Sequence, residues 1–271
     1  MFRNYMNSEV KLICFISHPR SGSTSLLKTI EAVTKSSSVL EIFHTSEDVI
    51  KQHVDEGLGA GSAESILKKS NYNSLSEFSK QDPLKYLNDL KEFALNNGSE
   101  SLIFKIFPGH IKTDENLNLV LDECEHIFFL RRNTLHSYIS NQKAISVGTY
   151  ANVDTSGISI EFNAEQYNEW KKNIYRFFST VKSLLEARNK DFSILDYEKV
   201  YQNKKDSLGK IINQVNLLPT SELEISSKLN KQDSKELATD KVANANQLQE
   251  YLKVNDVEFI NNCWQVEYEN N

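Results

Sequence analysis

An arginine, a glycine and four hydroxyl side chains lie close together near the start of the chain. The apolar run Leu12–Ile16 has the length of a strand, and the polar segment Pro19–Ser25 follows it. Apolar residues at helical spacing come next, so we expect a strand, a loop and the N-terminus of a helix. The first N–H groups of a helix lack internal partners, and the helix dipole is positive there. The segment therefore predicts an anion site, to which Arg20 adds a fixed cation.

This loop differs from the loop that binds nucleoside triphosphates. A Walker loop needs Gly-x-x-x-x-Gly-Lys followed by Ser or Thr, in which the lysine reaches the terminal phosphates and the hydroxyl holds Mg²⁺. The segment Arg20–Ser25 contains a single glycine, Gly22, and no Gly-Lys pair. The alternative interpretation of the same residues is a serine-rich helix cap that follows an ordinary buried strand.

A second predicted strand ends in two arginines. The run Glu125–Leu130 leads directly into Arg131 and Arg132, and a helical pattern follows. Ser140 comes eight residues after Arg132, about two helical turns, so the two residues share a helix face. A guanidinium can bind a phosphate through two N–H groups, and a hydroxyl adds a neutral donor. The alternative is a pair of solvated arginines at the rim of a sheet.

Together the two motifs resemble those of the sulfotransferases that use 3′-phosphoadenosine 5′-phosphosulfate (PAPS). Pro-Arg-Ser-Gly-Ser-Thr-Ser is similar to their 5′-phosphosulfate loop, and the Arg…Ser spacing of eight is similar to their 3′-phosphate motif. Three further segments are weaker matches. The tyrosine of Leu-Asp-Tyr-Glu-Lys-Val resembles one beside the nucleotide, and two lysine-containing segments resemble the nucleotide cover of the bacterial and tyrosylprotein branches. The resemblance implies these nucleotide-binding residues: Arg20, Ser21, Gly22, Ser23, Thr24, Ser25, Arg132, Ser140, Tyr197, Lys231, Gln232 and Lys241.

The resemblance implies the transfer of a sulfuryl group from PAPS to a hydroxyl. A neutral SO₃ unit moves in line, so the protein must neutralise the leaving phosphate and deprotonate the acceptor, and no metal is expected. Arg20 would act by electrostatic stabilisation, because an arginine does not readily release a proton. Lys105, within the predicted strand Ser101–Phe107, is expected to assist it.

Three residues are candidates for the general base. Glu41, in the predicted strand Val39–His44, resembles the glutamate base of trehalose-type and tyrosylprotein sulfotransferases. His110 falls near the histidine base of the cytosolic enzymes, though out of register with it, and His44 is the third candidate. Side chains of these types at strand ends commonly serve as bases. We rank Glu41 first and His110 second.

The elements that must hold these residues alternate between strands and helices. A turn at Ser36–Ser38 precedes the second strand, and Phe192–Tyr197 is the last strand. Such alternation predicts an α/β fold with a single parallel β-sheet flanked by helices, which the resemblance narrows to a P-loop-NTPase-like sulfotransferase fold. Ligands of such sheets bind at the carboxyl ends of the strands.

Two segments are predicted to form the acceptor pocket. The first, 45–97, begins with a polar stretch that contains glycines, and it continues as two helices separated at Asp82-Pro83. Proline at this point suits the first turn of a helix. The second segment, 146–163, is polar and contains glycine, as is typical of loops over binding sites.

Length and composition predict one sulfotransferase domain over residues 1–271. Hydrophobic residues make up 39% and charged residues 25% of the chain, which excludes a disordered protein, and the net charge of −6 argues against nucleic-acid binding. We see no signal peptide or membrane span, and three scattered cysteines argue against disulfides or a zinc site, so we expect a cytoplasmic protein. Cys14, inside the first strand, is expected to be a core residue.

The predicted partner is a small-molecule, carbohydrate or phenolic acceptor, and the protein is expected to be a monomer or homodimer without membrane contacts. Two other functions remain open. A P-loop kinase of small molecules would share the architecture, but it would need the Gly-Lys pair and magnesium-binding carboxylates. A non-catalytic nucleotide-binding protein on the same fold would need the loop and no base.

Overall fold

The computed structural model describes residues 9–149, 153–220 and 235–262, and within them one five-stranded sheet is formed. Its strands are β1 (Lys11–Ile16), β2 (Ser36–Leu40), β3 (Ser101–Ile106), β4 (His126–Arg131) and β5 (Ser193–Asp196). They lie in the order β2-β3-β1-β4-β5, and each neighbouring pair is parallel. The predicted α/β class with a parallel sheet flanked by helices is therefore confirmed.

Helices connect the strands and cover the sheet. The α-helices of the described residues are α1 (Ser23–Val33), α2 (Glu47–Leu58), α3 (Ser62–Lys69), α4 (Leu75–Gln81), α5 (Pro83–Asn96), α6 (Asp114–Glu123), α7 (Thr134–Val147), α8 (Ala164–Glu186), α9 (Tyr197–Gln202), α10 (Lys204–Gln214) and α11 (Ala245–Val254). Two 3₁₀ segments, Ala238–Lys241 and Glu258–Asn261, lie near the C-terminus. Among the described helices, none combines the length and apolar composition that crossing a bilayer requires.

Alternate residues of β1 enter two separate cores, because successive strand side chains point to opposite faces. Cys14 lies with Leu12 in the core that contains apolar residues of α2 to α6 and α8. Phe15 lies in the core on the other face, with α1, α9 and α10. Helices on both faces explain why β1 and β4 are almost continuously apolar in sequence. The prediction that Cys14 is a core residue is confirmed.

A third core attaches the C-terminal part of the described chain to α7. Buried residues of α7, among them Tyr138, pack with Tyr167 of α8 and with Leu248 of α11. Ile160 adds a parallel bridge to Val242. This core fixes the described part of the predicted pocket segment 146–163 against α7 and the C-terminal helices.

The second strand begins earlier than we predicted. The serines at 36–38 are not a turn, because they form the first part of β2, and the strand ends at Leu40 rather than continuing to His44. Two of the three hydroxyls find partners on or just before β3: Ser36 Oγ lies 2.6 Å from Ser101 Oγ, and Ser37 Oγ lies 2.7 Å from Ser99 Oγ. Glu41 consequently lies just beyond the strand, in the turn that precedes α2.

Residues 45–97 contain more helix than we predicted. The polar stretch at their start includes α2, whose buried residues Ile50, Val54 and Leu58 are spaced by four, and three helices follow instead of two. The predicted break at Asp82 is confirmed, because the Asp82 side chain accepts a hydrogen bond from Lys85 N at 3.1 Å and proline begins α5. These helices pack on the β2 side of the sheet.

Candidate active site

Predicted site residues from all five strand ends lie along one edge of the sheet. Parallel strands place their carboxyl ends together, and each strand here contributes a side chain at or near that end. The loop 17–22 follows β1, Glu41 follows β2, Arg132 follows β4 and Tyr197 follows β5, while Lys105 lies next to the last residue of β3. The topology thus gathers residues that are far apart in the sequence.

Internal contacts hold the loop between β1 and α1 in shape. Arg20 has a left-handed backbone with φ 64°, and Gly22, the N-cap of α1, has φ 81°. The Oγ atoms of Ser17 and Ser21, both fully buried, lie 2.6 Å apart in a hydrogen bond. The hydroxyl of Ser21 therefore supports the loop, whereas Thr24 is exposed on the first turn of α1. A ligand would meet Arg20, Thr24 and the first N–H groups of the helix.

Gly22 and Tyr197 fit against each other so closely that a side chain at Gly22 is excluded. A Cβ atom added to Gly22 would lie 2.2 Å from Cε2 of Tyr197. The Arg132 guanidinium lies 4.3 Å from the centroid of the same ring, within the range of a cation–π interaction. The ring of Tyr201 is 4.2 Å away on centroids. Tyr197 thus contacts both motifs that the sequence singled out.

The two motifs also contact each other directly. Arg132 donates a hydrogen bond from Nη1 to the backbone carbonyl of Arg20. Arg20 in turn donates from Nε to Ser140 Oγ at 3.0 Å. Arg20, Arg132 and Ser140 therefore lie within one continuous group of hydrogen-bonding side chains.

Lys105 connects the first turn of α1 to Glu41. Its side chain is 2% exposed, and Nζ lies 2.6 Å from Thr24 Oγ1 and 3.1 Å from Glu41 Oε1. His110 Nε2 lies 3.6 Å from the other carboxylate oxygen, Glu41 Oε2. Glu41, Lys105 and His110, which the sequence proposed separately, form one cluster beside the loop.

Charges in this cluster keep the carboxylate ionised. Burial alone would raise the pKa of Glu41, but Lys105 and His110 outweigh it and leave the pKa below its ordinary value. Burial lowers the pKa of Lys105, and the Glu41 carboxylate opposes this effect. Burial also lowers the pKa of His110 to about 4, so this ring is neutral near pH 7.

Backbone contacts fix the tautomers of three histidines around Glu41. Nδ1 of His44 accepts from Ser46 N at 3.0 Å, Nδ1 of His110 accepts from Phe107 N at 3.3 Å, and Nδ1 of His53 accepts from Glu41 N at 3.3 Å. A neutral ring that accepts at Nδ1 carries its proton on Nε2. These rings therefore offer N–H donors from Nε2.

The same tautomers bear on metal binding. Glu41, His44 and His110 offer ligand atoms within 4.8 Å of one another, a spacing that a metal ion could bridge. A histidine that binds a metal through Nε2 needs a free electron pair there, and its Nδ1–H usually donates. At His44 and His110 the backbone donates to Nδ1 instead, so the cluster favours hydrogen-bond donation over metal ligation.

Three nucleotide-binding residues were predicted from the two lysine-containing segments near the C-terminus, and one of them lies in the described part of the chain. Lys241 is buried, and its Nζ lies 3.2 Å from His136 Nδ1, which places it against the first turn of α7, close in sequence to Arg132. Its role in nucleotide binding stays a prediction. Lys231 and Gln232 lie outside the described residues.

Sequence reasoning missed two buried ionisable groups beside the site. His18 is fully buried, its Nδ1 donates to the Pro19 carbonyl at 3.0 Å, and burial lowers its pKa to about 4. Its ring packs near Trp170 and Phe178. Glu198, 1% exposed, accepts a hydrogen bond from the backbone at Asn133. Glu198 belongs to the Leu-Asp-Tyr-Glu-Lys-Val segment, but no local pattern could reveal that either residue is buried, because the elements that bury them are far away in the sequence.

Comparison with known proteins yields likeness in structure only. No protein-family model matches the chain, and no curated protein matches its sequence. A sulfotransferase domain from the curacin biosynthetic pathway is 16% identical, with a TM-score of 0.48 over 96% of this chain and 93% of that one. A sulfotransferase domain from the Synechococcus PCC 7002 olefin synthase is 14% identical, with a TM-score of 0.45 over 86% of this chain and 83% of that one. Values this low leave the question of function to the residues of the site.

Proposed function

We propose that this protein is a sulfotransferase that moves the sulfuryl group of PAPS to a hydroxyl of a small-molecule, sugar or phenolic acceptor by in-line displacement. The observation that carries the proposal is the direct contact between the two motifs through Arg132 and Arg20, beside the Lys105–Glu41 pair. Two anion-binding groups and a candidate base are what a donor with two phosphates and a hydroxyl acceptor require.

The donor side of the site suits a nucleotide with separate 5′ and 3′ phosphates. The N-terminus of α1, with Arg20 and Thr24, would hold the 5′-phosphosulfate, because unpaired N–H groups and a guanidinium favour anions. Arg132 and Ser140 would hold the 3′-phosphate, and Tyr197 would lie by the adenosine. The contact between Arg20 and Ser140 brings these two subsites side by side.

Glu41 is the better general base of the two leading candidates. A general base needs a free electron pair that can take the proton of the acceptor. Glu41 meets this need because its pKa lies below the ordinary value, so the carboxylate is ionised. Its Oε2 lies 3.6 Å from Nε2 of His110. His110 carries its proton on Nε2, because its Nδ1 accepts from Phe107 N. His110 therefore faces the carboxylate, 3.6 Å away, with an N–H group and not with an electron pair, and His44 has the same tautomer.

These residues would account for each bond and proton of the proposed transfer. The acceptor oxygen attacks sulfur, its proton passes to Glu41, and the S–O bond to the 5′-phosphate breaks to leave adenosine 3′,5′-bisphosphate. Lys105, which is within 2.6 Å of Thr24 Oγ1, and Arg20 would stabilise the negative charge that grows on the leaving phosphate. Lys105 also holds Glu41 in place through its ion pair.

Two other functions make different predictions about the same chain. A small-molecule kinase would consume ATP in a magnesium-dependent reaction, but the loop lacks the Gly-Lys pair that such a site uses. A non-catalytic nucleotide-binding protein would bind adenosine 3′,5′-bisphosphate without turnover. The base cluster of Glu41, Lys105 and His110 favours an enzyme over this second alternative.

The decisive experiment is an acceptor panel with PAPS labelled in the sulfuryl group. We expect a labelled product from at least one phenol, sugar, lipid alcohol or tyrosine peptide, with one adenosine 3′,5′-bisphosphate released per sulfated product. The Arg20→Ala variant should abolish the transfer, and the exposed Arg176→Ala should not. Binding of the bisphosphate without any turnover would support the non-catalytic alternative, and magnesium-dependent ATP consumption would support the kinase.

A further inference from the structure

A buried carboxyl group lies between the ends of β4 and β5. Glu198 is 1% exposed, and its Oε1 accepts a hydrogen bond from Asn133 N at 2.9 Å. Its other oxygen, Oε2, has no hydrogen-bond partner among the described residues. A buried carboxylate oxygen without a partner is costly, whereas the neutral acid loses less on burial. The geometry therefore opposes a permanent negative charge here.

The neighbours of Glu198 in the chain are the residues of the proposed 3′-phosphate subsite. Asn133, whose N–H it binds, directly follows Arg132, and Glu198 itself directly follows Tyr197. The guanidinium of Arg132 lies over the Tyr197 ring. Glu198 thus fixes the backbone that carries Arg132, and its charge acts on the same guanidinium that a phosphate would use.

We infer that Glu198 is a positioning residue of the Arg132 subsite and that it takes up a proton when a phosphate dianion binds there. The inference rests on the proposed function, in which Arg132 holds the 3′-phosphate. An ionised Glu198 competes with the phosphate for Arg132 and repels it. The neutral acid still accepts from Asn133 N through Oε1 and removes that repulsion, so the dianion favours the protonated form.

The other charges that face Glu198 come from both strand ends. Burial raises its pKa to about 7, the hydrogen bond from Asn133 and the charge of Arg132 oppose that rise, and Asp196 adds to it. Asp196 is itself paired with Arg131 at 2.6 Å and with Lys199 at 3.0 Å. His18, also close to Arg132, stays neutral near pH 7 because burial holds its pKa at about 4.

The sign of the expected pH effect follows. A bound dianion raises the pKa of Glu198 further, so binding takes up a proton between the free and the bound pKa. Affinity should therefore fall as the pH rises above about 7, by at most about tenfold per pH unit. The second ionisation of a phosphate, near pH 6, acts in the opposite direction at lower pH and is common to all variants.

The test is calorimetric titration with adenosine 3′,5′-bisphosphate between pH 6 and 9, in pairs of buffers with different ionisation enthalpies. We expect proton uptake by the wild type and an affinity loss of about threefold or more between pH 7 and 8.5. Glu198→Gln, which mimics the neutral acid, should bind with nearly constant affinity over this range and take up fewer protons. The exposed Glu123→Gln should behave as the wild type.

The Glu198→Ala variant distinguishes two roles of Glu198: its hydrogen bond to the backbone at Asn133 and its uptake of a proton. It removes the acceptor of the Asn133 N–H and should weaken binding at every pH, while Glu198→Gln restores affinity near pH 7. Equal pH slopes and equal proton uptake in the wild type and Glu198→Gln would overturn the inference and leave the nucleotide site intact. A wild type that does not bind the bisphosphate at any pH would instead contradict the proposed function.

Discussion

Arg132 has the most connected side chain of the candidate site. It donates to the carbonyl of Arg20, lies over the ring of Tyr197 and follows the strand that Glu198 supports through Asn133. A guanidinium can keep these contacts and still offer N–H groups to a phosphate, because it has five donors. A lysine could supply the charge without the planar group that the ring contact requires.

Two replacements of Arg132 should therefore separate the effect of its positive charge from the effect of its planar guanidinium group. We expect Arg132→Ala to reduce kcat/KM for PAPS at least about thirtyfold, from the roughly 2 kcal/mol or more that truncation of one partner in a buried charged contact costs. Arg132→Lys should fall between this variant and the wild type. Steady-state kinetics with PAPS check this, and Arg176→Ala, an exposed arginine on α8, is the matched control. An Arg132→Ala enzyme with unchanged kinetics would contradict the assignment of the 3′-phosphate subsite.

Glu41 and His110 should differ sharply when each is replaced. Loss of a general base typically costs about 10²–10⁴-fold in rate, so we expect a fall of that size in kcat for Glu41→Gln. His110→Asn should cost less than about tenfold, because the ring already carries its proton on Nε2, the atom that lies 3.6 Å from Glu41 Oε2, and does not receive the acceptor proton there. Single-turnover rates at saturating PAPS measure both, with nucleotide affinity as the control. The opposite ranking would make His110 the base.

The pH profile supplies a second check on Glu41. Its folded-state pKa lies below the ordinary value of 4.5, so the carboxylate is ionised and competent above that pH. The wild-type kcat should therefore stay level as the pH falls to about 5, and decline only as the pH passes through the lowered pKa. A decline that begins near pH 6.5, the ordinary histidine range, would point to another group.

At the scale of elements, the loop between β1 and α1 depends on how closely α9 approaches it. Tyr197 begins α9 and lies against Gly22, the N-cap of α1, and Tyr201 in the next turn donates from its hydroxyl to the Gly22 carbonyl at 3.3 Å. The N-terminus of α1 is thus shaped by a helix from the far end of the chain. Glycine at this position serves both the left-handed backbone and the ring contact.

The Gly22→Ala variant should be affected both by the left-handed backbone at this position and by the contact with the Tyr197 ring. A left-handed backbone costs a residue with a Cβ about 1–2 kcal/mol, and the ring of Tyr197 must also move. Gly98→Ala is the matched control, since Gly98 has φ 77° and no atom within 4 Å of an added Cβ. We expect Gly98→Ala to lower Tm by about 2–4 °C, and Gly22→Ala to lower it further because the ring must also move. Nucleotide affinity should fall more than about tenfold in Gly22→Ala only. Equal nucleotide affinity in the two variants would contradict the role of the ring contact.

Sequence patterns could predict the strands and helices whose position depends on burial or local backbone chemistry alone. β1 and β4 are apolar except at their ends because helices cover both faces, and the break before Pro83 follows from local backbone chemistry. β2 could not be recognised from its serines, since the contact that pairs Ser36 with Ser101 on β3 joins residues that are far apart in the sequence. The start of a strand is decided there by tertiary contacts.

The same limit applies to the candidate site. Its cations and hydroxyls were predictable from two motifs, and strand ends of a parallel sheet meet at one edge. The burial of Glu198 and His18 was not predictable, because each depends on elements distant in the sequence, as with the contact of His18 to Trp170. The tautomer of His110 likewise follows from one backbone N–H that only the folded chain brings into place.

At the scale of the whole molecule, three basic side chains of an acidic protein lie together at the candidate anion-binding site. The net charge is −6, yet Arg20, Lys105 and Arg132 come together at the carboxyl edge of the sheet. They come from the ends of β1, β3 and β4, and Tyr197 adds β5. A nucleotide that contacted all of them would join four strands of the sheet, so its binding should be visible as stability of the entire fold.

Thermal unfolding with different nucleotides tests this expectation. A ligand at 100 times its Kd stabilises the folded state by about 2.7 kcal/mol, which for a chain of this size raises Tm by about 5 °C. We expect adenosine 3′,5′-bisphosphate to raise Tm more than adenosine 5′-monophosphate at equal concentration, because only the bisphosphate reaches Arg132 and Ser140. Arg132→Ala should remove that difference and keep the smaller shift, since the α1 subsite is intact. Equal shifts for the two nucleotides in the wild type, or a shift that appears only with ATP and Mg²⁺, would contradict a two-phosphate site and favour the kinase interpretation.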